Sequence, residues 1–155
     1  MTRSEVREHI FRLVFRVEFN EADRMPEQIR RYFEDTYKED MGSDAPEDAD
    51  KLCMFSEEDE TYIRKKYDNI VAMLPRLDEI INSNSKGWDT GRLGKVDLAI
   101  LRLAVYEVLF DDDIPVGVAI DEAVELAKKY GQDESPSFIN GILAGVARSS
   151  VSSED

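Results

Sequence analysis

An apolar repeat with helical spacing runs from residue 63 to residue 81 and passes through a proline. Its members are Ile63, Tyr67, Ile70, Leu74, Leu77 and Ile81. They are four, three, four, three and four residues apart, which places them on one side of a helix. An interior proline costs a helix about 3 kcal/mol, so Pro75 either kinks one long helix or separates two abutting helices. The repeat therefore predicts a long central helical element.

The other segments show the same three- and four-residue spacing of apolar side chains. This spacing predicts helices over about 3–19, 95–110 and 118–130. Further helices are expected to open at Pro26, after a Ser56 cap, and at Ser135-Pro136. No segment alternates with period two, and the hairpin-type pair Asn140-Gly141 lies inside a helical pattern. The chain is therefore predicted to be all-α, with about six or seven helices.

At 155 residues, the chain has the length of one ordinary domain. We predict a single all-helical domain over residues 1–150, with two subdomains at roughly 1–84 and 85–150. Residues 151–155 are expected to fray as a tail. The acidic, breaker-rich segment 39–50 is expected to form a surface loop.

The composition offers few of the groups that metal binding and catalysis require. One histidine, His9, and one cysteine, Cys53, cannot form a zinc-type cluster. The segment GRLGKVD lacks the spacing of a phosphate-binding loop, and no GxSxG nucleophile motif occurs. No apolar run approaches the roughly 18 residues that span a bilayer. We therefore predict a cytoplasmic protein that has no cofactor, no metal, no membrane association and no enzymatic activity.

Four arginines lie in the first sixteen residues of a chain whose net charge is −14. Arg12 and Arg16 point away from the apolar stripe of the first helix and are expected to face water. Arg3 and Arg7 lie at the edge of the stripe and lead toward an aromatic track that includes Phe15. A cation beside an exposed aromatic ring is a combination that binds single-stranded nucleic acid. These residues alone nevertheless favour packing over RNA binding.

The second half of the chain carries a longer pattern. Trp88 is followed by RLGKVDLAILRLAVYEVL at 92–109, DIPVGVAIDEAVELAKKYG at 113–131 and SPSFINGILAGVA at 135–147. Together these segments closely resemble the NusB antitermination family, and VREHIFRLVF at 6–15 resembles the family's first helix. The resemblance implies a NusB-like fold of two small three-helix bundles that share a core.

The resemblance also implies a function in transcription. Members of the family antiterminate ribosomal RNA operons, and they bind single-stranded box A RNA together with the ribosomal protein known as NusE. The expected partners are therefore this RNA, NusE and the RNA polymerase antitermination complex. Some members form homodimers, so a homodimer is a further state that the resemblance allows. The alternative is a helical protein-interaction module that has kept the fold and lost RNA binding.

Carried over by motif, the RNA-binding surface comprises Arg3, Arg7, Phe15, Glu134, Ser137 and Phe138. This surface has fewer basic residues than the family pattern in two places. Three residues separate Arg3 from Arg7, and Ser137 occupies a position that is often basic. Each lost phosphate contact lowers the salt slope by about 0.7 for single strands, so we expect weak RNA binding by the protein alone. Phe138 could serve either as core or as a stacking surface.

Two further motif positions and two acids complete the expectations. Asn140 and Gly141 are interpreted as packing residues, since a helical glycine lets a neighbouring backbone approach closely. The acidic excess suits a basic partner. Asp97 and Glu122 are the candidate partner-facing acids, although both could simply be exposed acids near helix starts.

Overall fold

A computed structural model describes residues 1–41, 55–85 and 93–153, with side chains over 1–34, 55–85 and 93–150. These ranges contain seven α-helices, two short 3-10 turns and no β-strand. The helices are α1 (Arg3–Arg16), α2 (Met25–Met41), α3 (Glu57–Ala72), α4 (Leu74–Asn84), α5 (Lys95–Phe110), α6 (Val116–Tyr130) and α7 (Ser135–Ser153). The prediction of an all-α fold is confirmed.

The apolar repeat around Pro75 belongs to two helices rather than to one kinked helix. α3 ends at Ala72, Met73 leaves helical geometry with φ −107° and ψ 7°, and α4 begins at Leu74. Pro75 therefore lies in the first turn of α4, where its missing N–H group removes no helical hydrogen bond. All members of the repeat except Leu74 are buried.

Three helix ends differ from the sequence prediction. The first α-helix stops at Arg16, and Val17–Phe19 continue as a 3-10 turn. α2 runs to Met41, so the predicted loop at 39–50 starts too early, and residues 42–50 lie outside the described ranges. α7 continues through Ser153, three residues beyond the predicted end of the domain at residue 150. Cys53, Trp88 and residues 154–155 also lie outside the described ranges.

The chain divides into two compact units, Met1–Tyr67 and Asp68–Asp155. The sequence had suggested a division near residue 84. The observed division lies inside α3 because α4 packs against α5 and α7 and so belongs to the second unit.

The first unit is built on α1 and α2. A capping box starts α1: the Thr2 hydroxyl oxygen accepts the Glu5 N–H group at 3.1 Å, and the Glu5 carboxylate accepts the Thr2 N–H group at 2.8 Å. His9 lies on α1 and faces α2 and Phe55. It is half-buried, because its ring hydrogen-bonds to the Tyr32 hydroxyl and packs edge-on against Phe55.

The second unit is organised around α5. Every residue of α5 from Leu98 to Glu107 is buried, as its nearly continuous apolar character predicted. α4, α6 and α7 all pack against this helix. Arg102 is also buried, and its guanidinium donates two hydrogen bonds of 2.8 Å to the carboxylate of Asp78 on α4. A bidentate, charge-assisted pair of this kind fixes how α4 packs against α5.

Candidate nucleic-acid interface

The two N-terminal arginines of the predicted site differ in exposure. Arg3 is exposed at the first residue of α1, whereas Arg7 is only 6% exposed. The side chain of Arg7 would therefore have to leave its buried position to reach a phosphate. Twelve residues separate Arg3 from Phe15, which is about 18 Å along a helix. Arg3 and Phe15 consequently cannot contact the same nucleotide.

The other two arginines of α1 are engaged within the first unit. Arg12 forms an ion pair with Glu8 at 3.3 Å and keeps 41% of its side chain exposed. The guanidinium of Arg16 lies 4.9 Å from the centre of the Tyr32 ring. Arg12 therefore faces water as expected, while Arg16 also covers a buried tyrosine.

Phe15 is the middle ring of an aromatic ladder formed by Phe11, Phe15 and Phe19. Its ring centre lies 6.3 Å from that of Phe11 and 4.9 Å from that of Phe19, which it meets edge-on. Phe11 is buried, Phe15 is half-buried, and Phe19 is 58% exposed. The sequence reasoning did not select Phe19. The spacing of four residues along the ladder is the signal that could have found it.

Phe138 lies in a groove of about 480 Å³ in the second unit. We call it the α7 groove, and its lining includes Asn84, Ser85, Ser137, Phe138, Gly141 and Arg148. Phe138 is half-buried, so part of its ring remains accessible, while Ser137, Gly141 and Arg148 are exposed. The structure thus places Ser137 and Phe138 in the lining of the same groove. An accessible ring among small polar side chains can stack on a planar ligand such as a base.

The two glycines of α7 play different parts in this groove. A Cβ atom added to Gly141 would meet no described atom within 4 Å, so the interpretation of Gly141 as a close-packing residue is wrong. Gly145 is the packing glycine instead, because a Cβ atom there would lie 3.0 Å from Asn84 Oδ1. Gly141 therefore adds no side chain to the lining of the α7 groove, and Gly145 makes room for Asn84, another lining residue.

The start of α7 is tied to the start of α5 by Asp97. The carboxylate of Asp97 accepts a hydrogen bond of 3.1 Å from the Ser135 hydroxyl, which itself accepts the Gln132 N–H group at 2.9 Å. Burial raises the pKa of Asp97, the hydrogen bond from Ser135 lowers it, and the nearby charge of Glu134 raises it further. Asp97 is thus half-buried in an internal contact. Its role in partner binding, like that of the half-buried Glu122, stays a prediction.

Glu134, the remaining predicted site residue, is exposed just before α7. The turn that carries it depends on Gly131, where an added Cβ atom would lie 2.7 Å from Ser135 Cβ and 2.9 Å from the Ala127 carbonyl oxygen. The φ of Gly131 is −93°, so space rather than backbone conformation requires glycine here. Any larger residue would displace Ser135 and the first turn of α7.

No group of three or more histidine, cysteine, aspartate and glutamate side chains in the described ranges could hold a metal ion. No helix among the described residues is long and apolar enough to cross a membrane.

Comparison with known proteins gives a consistent result. The model of the NusB family matches residues 4–148. The transcription antitermination protein NusB of Lachnoclostridium phytofermentans is 47% identical over 146 residues, which cover 94% of this chain and 98% of that protein. The structure of T. maritima NusB has 30% identity and a TM-score of 0.75, and the match covers 96% of this chain and 92% of that one. A crystal structure of antitermination factors NusB and NusE in complex with double-stranded RNA has 23% identity, a TM-score of 0.75 and coverage of 96% and 99%.

Proposed function

Because the chain belongs to the NusB family, we propose that it is a transcription antitermination factor that binds box A RNA of ribosomal RNA operons together with NusE. The name of the relative from L. phytofermentans supports the role in antitermination. The NusB structure solved with NusE and double-stranded RNA supports NusE and RNA as partners, since this chain shares its fold. The factor acts in the cytoplasm, in the RNA polymerase antitermination complex, and has no enzymatic activity.

The accessible ring of Phe138 in the α7 groove is the observation that carries the RNA-binding part of the proposal. A single-stranded base stacks on this ring, a contact worth about 1–3 kcal/mol. Ser137 and Glu134 precede Phe138 and flank the path of the strand. Because Ser137 is neutral and Glu134 is acidic, they add no attraction to phosphate, which keeps the affinity of the protein alone low.

The first unit contributes its own contacts to the proposed RNA surface. Arg3 is exposed and pairs with a phosphate, while Phe15 offers its accessible edge beside Phe19. Arg7 belongs to the surface only if RNA or NusE draws it out of its buried position. Arg3 and Phe15 meet different nucleotides, because about 18 Å of helix separates them.

The partner supplies the positive charge that the chain lacks. A net charge of −14 repels RNA at long range but attracts a basic protein. Asp97 and Glu122 are the proposed acids of this contact. RNA and NusE are therefore expected to bind together far better than either binds alone.

The test is a titration of fluorescent box A-type RNA with the full chain, with and without NusE. We expect NusE to strengthen RNA binding, and Phe138→Ala to weaken the ternary complex about tenfold, which corresponds to about 1.4 kcal/mol of stacking. Phe110→Ala is the matched control, because Phe110 is also half-buried and also in the second unit but packs against Tyr106 outside the α7 groove. Circular dichroism establishes that both variants are folded.

Absence of RNA binding by the wild-type chain in the presence of NusE would contradict the proposal. If NusE still bound under those conditions, the chain would be the protein-interaction module that the acidic composition also allows. Equal RNA affinity of Phe138→Ala and the wild type would remove the α7 groove from the RNA surface.

A further inference from the structure

Six basic side chains with described positions form ion pairs with acidic neighbours. Such ion pairs join Arg12 to Glu8, Arg30 and Arg31 to Glu27, Arg64 to Glu60, Arg102 to Asp78 and Lys128 to Glu125. Arg148 is exposed and, unlike these six, has no ion pair with any acid in the described part of the chain. An unpaired cation in a chain of net charge −14 is available to an anionic ligand.

Arg148 lies in the α7 groove, which also contains the accessible ring of the predicted site. It lines the α7 groove together with Phe138, and the other described lining residues of that groove are uncharged. Two other grooves of the second unit each contain an acid: Asp121 and Glu125 line one, and Glu79 lines the other. The α7 groove therefore combines an accessible aromatic ring with a cation that no lining acid opposes.

We propose that Arg148 binds a phosphate of the RNA strand whose base stacks on Phe138. This inference rests on the proposed function, because it assigns a residue to the same RNA site. Ten residues of α7 separate Phe138 from Arg148, which is about 15 Å along the helix, so the two side chains contact different nucleotides. Arg148 thereby restores in this chain the phosphate contact that Ser137 cannot make, and it directs the strand along α7.

The experiment measures ternary RNA affinity with NusE present across a salt series from about 50 to about 200 mM. Arg148→Gln should reduce the slope of log affinity against log salt by about 0.7, the value for one phosphate contact with a single strand. It should weaken binding about fivefold at the lowest salt concentration, as expected for one lost hydrogen bond of about 1 kcal/mol. Arg148→Lys should keep most of the slope, because the charge remains.

Lys65→Gln is the matched control. Lys65 is likewise exposed on a helix and has no ion pair among the described residues, but it belongs to the first unit. Its removal makes the same change in net charge outside the α7 groove. We expect Lys65→Gln to leave the slope unchanged, and thermal unfolding followed by circular dichroism to show that all three variants are folded.

The outcomes separate this inference from the function on which it rests. If Phe138→Ala weakens RNA binding while Arg148→Gln keeps the wild-type slope, the inference about Arg148 is overturned and the function stands. If Arg148→Gln and Lys65→Gln reduce the slope equally, the effect is one of net charge and the inference is also overturned. If the wild-type chain with NusE binds no RNA, both the function and the inference fail.

Discussion

The buried arginine–aromatic pairs of the first unit contrast with the α7 groove of the second unit. In the first unit, the guanidinium groups of Arg16 and Arg64 lie over the rings of Tyr32 and Phe33, which are only 3% and 5% exposed. In the second unit, the ring of Phe138 remains accessible in a groove. An arginine near an aromatic residue therefore indicates a nucleic-acid site only where the fold has not already paired the two.

The ion pairs of Arg30 in the first unit and of Arg102 in the second unit differ in a similar way. In the first unit, Arg30 contacts Glu27 and Glu34 with more than a third of each side chain exposed. In the second unit, the Arg102 side chain in its pair with Asp78 is 7% exposed. Water and salt screen the exposed pairs of Arg30 strongly, but they screen the buried pair of Arg102 with Asp78 much less. Charge thus serves solubility in one place and helix packing in the other.

Arg102→Ala should produce the largest effect on stability. The substitution leaves the Asp78 carboxylate without its bidentate partner and empties a buried site, which costs about 3 kcal/mol. Arg30→Ala should cost no more than about 0.5 kcal/mol, because its pairs are exposed. Urea unfolding of both variants measures the difference. Losses of similar size would show that the two ion pairs are not energetically distinct.

Gly131→Ala should give the second largest loss of stability. We expect its free energy of unfolding to fall by about 2 kcal/mol, because the methyl group overpacks against Ser135 and the Ala127 carbonyl group. Gly117→Ala, in the first turn of α6, is its control, since a Cβ atom there meets no described atom within 4 Å. That variant should gain up to about 1 kcal/mol of helix propensity. Thermal unfolding distinguishes the two, and a stable Gly131→Ala variant would mean that the turn before α7 adjusts freely.

Gly141→Ala should move stability and RNA affinity in opposite directions. Alanine adds about 1 kcal/mol of helix propensity at this exposed position, but its methyl group enters the α7 groove. We expect a higher midpoint of thermal unfolding and weaker ternary RNA binding. Unchanged RNA affinity in the stabilised variant would indicate that the strand does not approach Gly141.

Asp97→Asn should give the smallest effect, and one that depends on pH. An acid whose folded pKa is raised contributes stability below its unfolded pKa and loses that contribution as pH rises through the folded pKa. The asparagine variant has no such loss and can still accept the Ser135 hydrogen bond. Its stability relative to the wild type should therefore increase between about pH 4 and about pH 7. A constant difference across that range would contradict the raised pKa.

The sequence predicted helices well because their signals are local. The spacing of apolar residues found α5, and the Ser56 cap before α3 is present, with the Asp59 N–H group donating to the serine hydroxyl at 3.0 Å. Contacts between distant positions carry no such signal. The pairing of Arg102 with Asp78 across 24 residues, the burial of Arg7 and the open surroundings of Gly141 depend on how helices pack.

Only part of the candidate site carries a local sequence signal. A motif indicated Phe138 and Ser137, and the structure places both in one groove. Arg148 lies ten residues beyond the motif phenylalanine, so no short pattern could include it. Its place in the site depends on the packing of the second unit that forms the α7 groove.

Photocrosslinking tests the central claim, that the accessible ring and unpaired charge of the α7 groove receive RNA, most directly. Box A-type RNA that carries 4-thiouridine would be crosslinked to the full chain in the presence of NusE, and the modified peptides identified by mass spectrometry. The account predicts crosslinks within residues 136–148, and their loss in Phe138→Ala. Crosslinks confined to the first unit, with none in residues 136–148, would contradict it.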